Sequence, residues 1–278
     1  METRKIIVKT VLTAFTVCFV SCESEDLSTI ENTNSSSLKG YEVTAKITGK
    51  PLLYFKGPEV YYGDGYARSW ISVSEGIPQE IGVELTPECL NTLSEKQEMI
   101  HKVLPLHLKA RQITAFDHIG LDWNPQGHDP EGIFDKPHFD IHFYTISLSE
   151  RLAIPEYSPS SDASFNHYPP EGYMPADYAA IPGPVGSEGK MGKHWLPMPL
   201  PDYLPFTKIL ILGTFDGKVT FMEPMITLET LQNLTTPIST PYSQPELFEK
   251  QTYYPTNYNI FINEKGNTCI SLGSFVMR

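Results

Sequence analysis

Residues 137–144 read PHFDIHFY. Side chains alternate between faces along an extended strand, so Phe139, Ile141 and Phe143 share one face and His138, Asp140, His142 and Tyr144 the other. The first is a core face. The second carries imidazoles and a carboxylate, which bind divalent metals, move protons or simply meet water. Residues two apart on a strand are about 6.6 Å apart and residues four apart about 13 Å, whereas a metal–nitrogen bond is only about 2.1 Å. At most two of these three groups can therefore ligate one ion without a bulge. The rest of any coordination shell must come from elsewhere in the chain.

Three outside donors stand out. His128 lies in the turn-rich WNPQGHDP. His194 lies in GKMGKHWLP, where Gly189 and Gly192 free the backbone to place it. Glu223 lies in FMEPM, with Pro224 interrupting the strand beyond it. Together with His138, Asp140 and His142 these donors suit a zinc, iron or manganese ion gathered at one common point. Copper fits less well. Met174, Met191, Met198, Met222 and Met225 are near in sequence, but methionine more often fills a core.

Plainer readings compete. The polar row can be a solvated strand face, Asp140 can fix a histidine tautomer, and Glu223 can cap the helix expected behind Pro224. The spacing matches neither HExxH nor a zinc ribbon, no Ser stands in a nucleophile elbow, and GPVGSEG (183–189) lacks the ending of a phosphate loop. Trp123, Trp195, Tyr157, Tyr168, Tyr173 and Tyr178 offer the wall of an aromatic-ligand pocket beneath the Pro-rich segment.

The elements that must position these groups are mostly strands. β-rich stretches occur at 41–49, 67–74, 79–86, 104–110, 116–124, 137–149, 206–215 and 218–225. The last two form a hairpin across Asp216-Gly217, and two more strands flank Lys265-Gly266. Short helices are expected at 86–100, behind Thr86-Pro87, and at 227–234. Eleven of the 24 prolines fall in residues 155–205, which reads as one long loop. No βαβ alternation and no repeat occurs. The expectation is a mostly β fold, an antiparallel β-sandwich or partly closed barrel, over residues 41–278.

The chain's formal net charge of -12 repels phosphate backbones, so nucleic acid is not an expected partner. The N-terminus sets an address. Arg4, Lys5 and Lys9 precede the apolar TVLTAFTVCFV, which is of signal-peptide length. FVSC then resembles a bacterial lipobox. The resemblance implies cleavage after residue 21 and lipidation of Cys22, with residues 22–40 as an acidic, Ser- and Asn-rich tether. The expected location is the bacterial cell envelope, with the lipid as the only membrane contact. Cys89 and Cys269 remain in a disulfide-permissive compartment, either paired or as buried thiols.

The blocks LDWNPQGHDPEGIFDKPHFDIHFY, MGKHW and GTFDGKVTFMEPM resemble a family of secreted bacterial proteins of unknown function. Its founding structural member comes from a thermophile and is controlled by an extracytoplasmic sigma factor. The likeness is dense from about 115 to 232. It implies a β-rich extracytoplasmic domain and nominates the same six residues: His128, His138, Asp140, His142, His194 and Glu223. An acidic residue often follows HW in that family, whereas Leu196 and Pro197 stand here. The resulting expectation is a lipid-anchored envelope protein with a divalent-metal site. The alternative is a non-catalytic envelope scaffold or binding protein, self-associating, whose polar row only organises loops.

Overall fold

The structure, a computed structural model, describes residues 51–93 and 98–278. The expected signal segment 1–21, Cys22, the tether 22–40 and the strand at 41–49 lie outside the described residues. So does part of the expected helix at 86–100.

Both ends of the described chain build one sheet and its middle builds the other. β1 (Leu53–Lys56), β2 (Val60–Tyr62), β3 (Gly65–Ser74) and β4 (Ile77–Leu85) come first. β5 (Ile100–Pro105), β6 (His118–Asn124), β7 (His138–Tyr144), β8 (Tyr178–Ala180), β9 (Ser187–Glu188), β10 (Gly192–Pro197), β11 (Lys208–Phe215) and β12 (Lys218–Thr227) follow. β13 (Ile238–Pro241), β14 (Tyr253–Tyr254), β15 (Asn257–Ile262), β16 (Thr268–Gly273) and β17 (Val276–Met277) close the chain. Sheet I runs β1-β3-β4-β16-β15-β13 with β2 beside β3. Sheet II runs β5-β6-β7-β12-β11-β10-β8 with β9 beside β10, and all its pairings are antiparallel. β14 and β17 pair separately.

One apolar core lies between the sheets. Ile71, Ile81, Val83 and Ile270 from sheet I meet Ile119, Leu121, Phe139, Ile141 and Phe143 from sheet II. Each such side chain, fully withdrawn from water, stabilises the fold by about 1.5–3 kcal/mol. The alternation of PHFDIHFY is thus fixed by its apolar half, because a one-residue slip would put both phenylalanines on the wrong face. This is a mostly antiparallel β fold of the sandwich kind, and its sheets do not close into a barrel.

Details differ from the sequence reading. Five short helices are present among the described residues, not two: α1 (Pro87–Thr92), α2 (Leu108–Ile113), α3 (Leu148–Ala153), α4 (Asp162–Phe165) and α5 (Leu228–Gln232). None exceeds six residues, too short for a 3.6-residue period to stand out. The strand expected at 104–110 ends at Pro105, and His107 caps α2 by accepting from the Lys109 N–H (3.0 Å). The Pro-rich segment is not a bare loop. It contributes β8, β9 and β10 to the edge of sheet II, where prolines are tolerated because one side needs no ladder. Asp216 and Gly217 both have positive φ (46° and 80°), as a two-residue hairpin turn requires. Cys89 and Cys269 are buried free thiols.

Candidate metal centres

The outer face of sheet II collects the polar row. Across β6 and β7, Asn124 pairs with His138, Asp122 with Asp140 and Gly120 with His142. Met222 pairs with Phe143 and Met225 with Asp140, a register that sets Glu223 opposite His142. His194 pairs with Gly213, and Gly213 with Phe221. The Phe221 ring lies where a Gly213 side chain would be, and packs against both His142 (4.8 Å between ring centres) and His194 (5.3 Å). A second apolar cluster on this face, including Phe134, Phe206, Ile209, Ile211 and Met225, helps to exclude water.

The six predicted residues do not meet at one point. They form two groups of three, in each of which one donor atom per residue lies within 4.8 Å of the others. His142, His194 and Glu223 make the first. His128, His138 and Asp140 make the second. The reason is the cross-strand register: Glu223 falls opposite His142, whereas His138 and Asp140, also one strand repeat apart, both reach the loop residue His128. The row is not a solvated face either. His138, His142, Glu223 and Asp140 are 0, 1, 1 and 5% exposed. Glu223 caps no helix, because α5 is capped by Thr227, whose hydroxyl accepts from the Thr230 N–H (3.2 Å).

The imidazoles are placed unusually. His128 Nδ1 is 2.7 Å from the Asp129 carbonyl, and its Nε2 is 3.1 Å from Asp140 Oδ2. His138 Nδ1 is 2.6 Å from the Lys136 carbonyl, and its Nε2 is 3.1 Å from Asp140 Oδ1. His142 Nδ1 is 3.3 Å from Asp122 Oδ2, and its Nε2 is 3.3 Å from Glu223 Oε2. A neutral imidazole has one N–H, yet each of these rings faces an acceptor at both nitrogens. For His128 and His138 the ring is an imidazolium or a cation stands where the second proton would be; for His142 a protonated Glu223 carboxyl is a third way to supply that proton. His138 Nε2, Asp140 Oδ1, both ring nitrogens of His142, Asp122 Oδ2 and Glu223 Oε2 are buried and, close as they lie, make no well-aligned hydrogen bond. Two ligands of one tetrahedral ion with bonds of about 2.1 Å lie roughly 3.4 Å apart, a little more than these nitrogen–oxygen separations.

Electrostatics point the same way. Burial, then the charges of Asp140 and Asp122, raise the Glu223 carboxyl well above its ordinary range. Burial and the neighbouring His142 push His194 down to about 4, which keeps it a neutral donor, with its Nδ1 3.4 Å from the Gly186 carbonyl. Burial alone would raise Asp140, but His138 and His128 hold it far below the usual carboxylate range. Burial depresses His128, and Asp140 more than reverses this, to about 9. Among the described residues no Lys or Arg lies within 4.0 Å of Asp122, Asp140 or Glu223, whose ionisable partners are imidazoles.

Sequence reasoning missed the supporting shell. Asp122 takes His142 on one oxygen and His101 on the other, and burial notwithstanding, these two hold its carboxyl below the ordinary value. Arg151, itself buried, donates through Nη2 to His101 Nε2 (3.2 Å), which leaves His101 Nδ1 to donate to Asp122. Asn124 Nδ2 donates to Asp140 Oδ2 (2.6 Å). Such outer partners fix the tautomer and orientation of metal-binding imidazoles and carboxylates. The signal was available: His118, Gly120, Asp122 and Asn124 alternate along β6 as their partners do along β7.

Of the methionines named for copper, Met222 is in the main core, Met174 packs against it, Met191 is partly buried and Met198 is exposed; Met225, in the second apolar cluster, pairs with Asp140 and is the one on the site's face. A cavity of about 40 Å³ lies between Tyr173, Met174 and Tyr242, room for a water molecule and not for an aromatic ligand. No helix among the described residues is long and apolar enough to cross a membrane. Comparison of the chain with family profiles, with curated proteins and with solved structures gives no significant match.

Proposed function

We propose that this protein binds a divalent metal ion through His142, His194 and Glu223, and that it does so in the bacterial cell envelope, anchored by a lipid on Cys22. The address rests on the N-terminal signal and lipobox, and family membership on the blocks quoted above. The metal reading rests on one observation: Glu223, a buried carboxylate, meets the inward nitrogen of an imidazole whose other nitrogen already faces an acceptor. Two nitrogens and one oxygen suit iron, zinc or manganese and leave further coordination positions open. When bound, such an ion supplies Lewis acidity or lowers the pKa of a water molecule. The chain's own residues then have separate tasks. Asp122 holds the His142 ring, Phe221 walls off His142 and His194, and the Gly186 carbonyl orients His194.

A second reading is favoured by the carbonyls of Asp129, Lys136 and Gly186, through which the histidines tie down covering loops. There His128 and His138 pair with Asp140, and His142 with Asp122 and Glu223, in a buried polar network in which His194 stays neutral and no metal binds. Elemental analysis of protein purified without chelator separates the two. Metal is expected in the wild type, and His194→Ala and Glu223→Gln are expected to lower it. Wild-type protein that holds no zinc, iron or manganese, even after reloading, would favour the polar network.

A further inference from the structure

We propose that His128, His138 and Asp140 bind a second divalent cation beside the first, so that the outer face of sheet II holds a paired centre with one sheltered and one exchangeable ion. This extends the reading above to a neighbouring site, and the two can fail separately.

No residue is shared between the two groups, and each brings its own three donor atoms within 4.8 Å of one another. The second group has the construction of a site in its own right. His128 Nε2 and His138 Nε2 approach different oxygens of Asp140, each at 3.1 Å. Backbone carbonyls of Asp129 and Lys136 turn both lone-pair nitrogens inward, and Asn124 fixes the carboxylate. His138 Nε2 and Asp140 Oδ1, both buried, make no well-aligned hydrogen bond. Phe206 stands edge-on to the His138 ring at 5.2 Å and Phe134 edge-on to His128 at 5.7 Å, which dries one side of the site.

Charge sets the number of ions. Asp122, Asp140 and Glu223 place three carboxylates on this face without a Lys or Arg partner. One divalent ion at Glu223 leaves Asp140 with the His128 and His138 rings as its charge partners, and a second ion would take the place of their protons. Two ions offset the three acids and leave the pair one positive charge, available to an anionic or water-derived ligand. Access sets the difference between them. The His128 side chain is 39% exposed, whereas those of His142 and Glu223 are 1 and 2% exposed. The outer ion should therefore exchange with solvent first.

The full chain, stripped of metal, is titrated with Co²⁺ by calorimetry, and bound cobalt is counted after gel filtration. Two equivalents are expected for the wild type and one for His128→Ala. One is also expected for Glu223→Gln, and close to none for the double variant. A chelator pulse should remove one equivalent first, and His128→Ala should lack that fast fraction. Circular dichroism of the metal-free His128→Ala protein checks folding, and Asp140→Asn provides a second loss variant. A wild type that holds one equivalent, lost in Glu223→Gln and kept in His128→Ala, would overturn the second site and leave the first. One equivalent lost in both variants would mean a single shared ion and overturn the pair. No binding at all would overturn both readings.

Discussion

The two sheets solve the same problem in opposite ways. On sheet I the buried carboxylate of Glu84 receives two contacts from Lys56 Nζ (2.7 and 2.9 Å), with Arg68 Nε at 3.8 Å. Both cations keep contact with water, being 28 and 27% exposed. On sheet II the buried carboxylates Asp122, Asp140 and Glu223 meet no Lys or Arg among the described residues, and their ionisable partners are imidazoles. A Lys–Glu–Arg cluster at a sheet surface is complete as it stands. A carboxylate set against rings that already have an acceptor behind them lacks such a cation, which the divalent ion proposed above would supply. On that proposal the difference separates an acid that serves the fold from acids that serve a site.

Substitutions can break this contrast. The largest effect is expected at Glu223. Glu223→Gln should abolish binding at the sheltered site, measured by Co²⁺ titration, yet raise the melting temperature of the metal-free protein at neutral pH. The sign follows from linkage. A carboxyl whose folded-state pKa is raised binds its proton more tightly when folded, so its contribution to stability is full below about pH 4.3 and is lost as pH rises through the folded value. Chelator-treated wild type should therefore lose stability above that pH, and Glu223→Gln should lose less. Metal at 100 times its Kd should restore about 2.7 kcal/mol to the wild type only.

Next in size is Asp122→Asn. An amide cannot accept from His101 and His142 as a carboxylate does, and loss of such an outer partner costs about 10- to 100-fold in metal affinity. Asp122→Glu should recover part of it. Equal affinities for wild type and Asp122→Asn would remove Asp122 from any positioning role.

Smaller effects belong to sheet I and to the rim. Glu84→Gln should destabilise by roughly 1–2 kcal/mol, less than for a fully buried pair because Lys56 can turn to water, and should leave metal content unchanged. The same substitution chemistry thus has opposite signs on the two sheets, which urea denaturation of both metal-free variants would reveal. Asn124→Ala should weaken the outer ion by less than tenfold and leave the sheltered one alone.

Part of this was legible in the sequence. Alternation in PHFDIHFY sorts core from polar face without any alignment, because the strand period is two and the apolar half decides which side is buried. Asp216-Gly217 announces the hairpin that carries Glu223. Strand spacing forbids His138, Asp140 and His142 from sharing one ion. The division into two groups was not legible. It depends on cross-strand register, on Glu223 falling opposite His142 and not beside Asp140, and nothing local in either strand sets that offset. Asp122 and His101 were passed over for a related reason. The alternation along β6 puts Asp122 on the polar face, but the chain from Arg151 through His101 and Asp122 to His142 forms only when β5, β6 and β7 align. The five helices and the strands of the Pro-rich edge were hidden by shortness, since a few residues cannot display a period.

The most direct measurement is anomalous X-ray diffraction at the zinc edge from crystals grown with Zn²⁺. An anomalous peak within about 2.1 Å of His142 Nε2, His194 and Glu223 Oε2 is expected. Zinc-soaked crystals with no anomalous density there, and His142 donating an ordinary hydrogen bond to Glu223 instead, would contradict the metal centre.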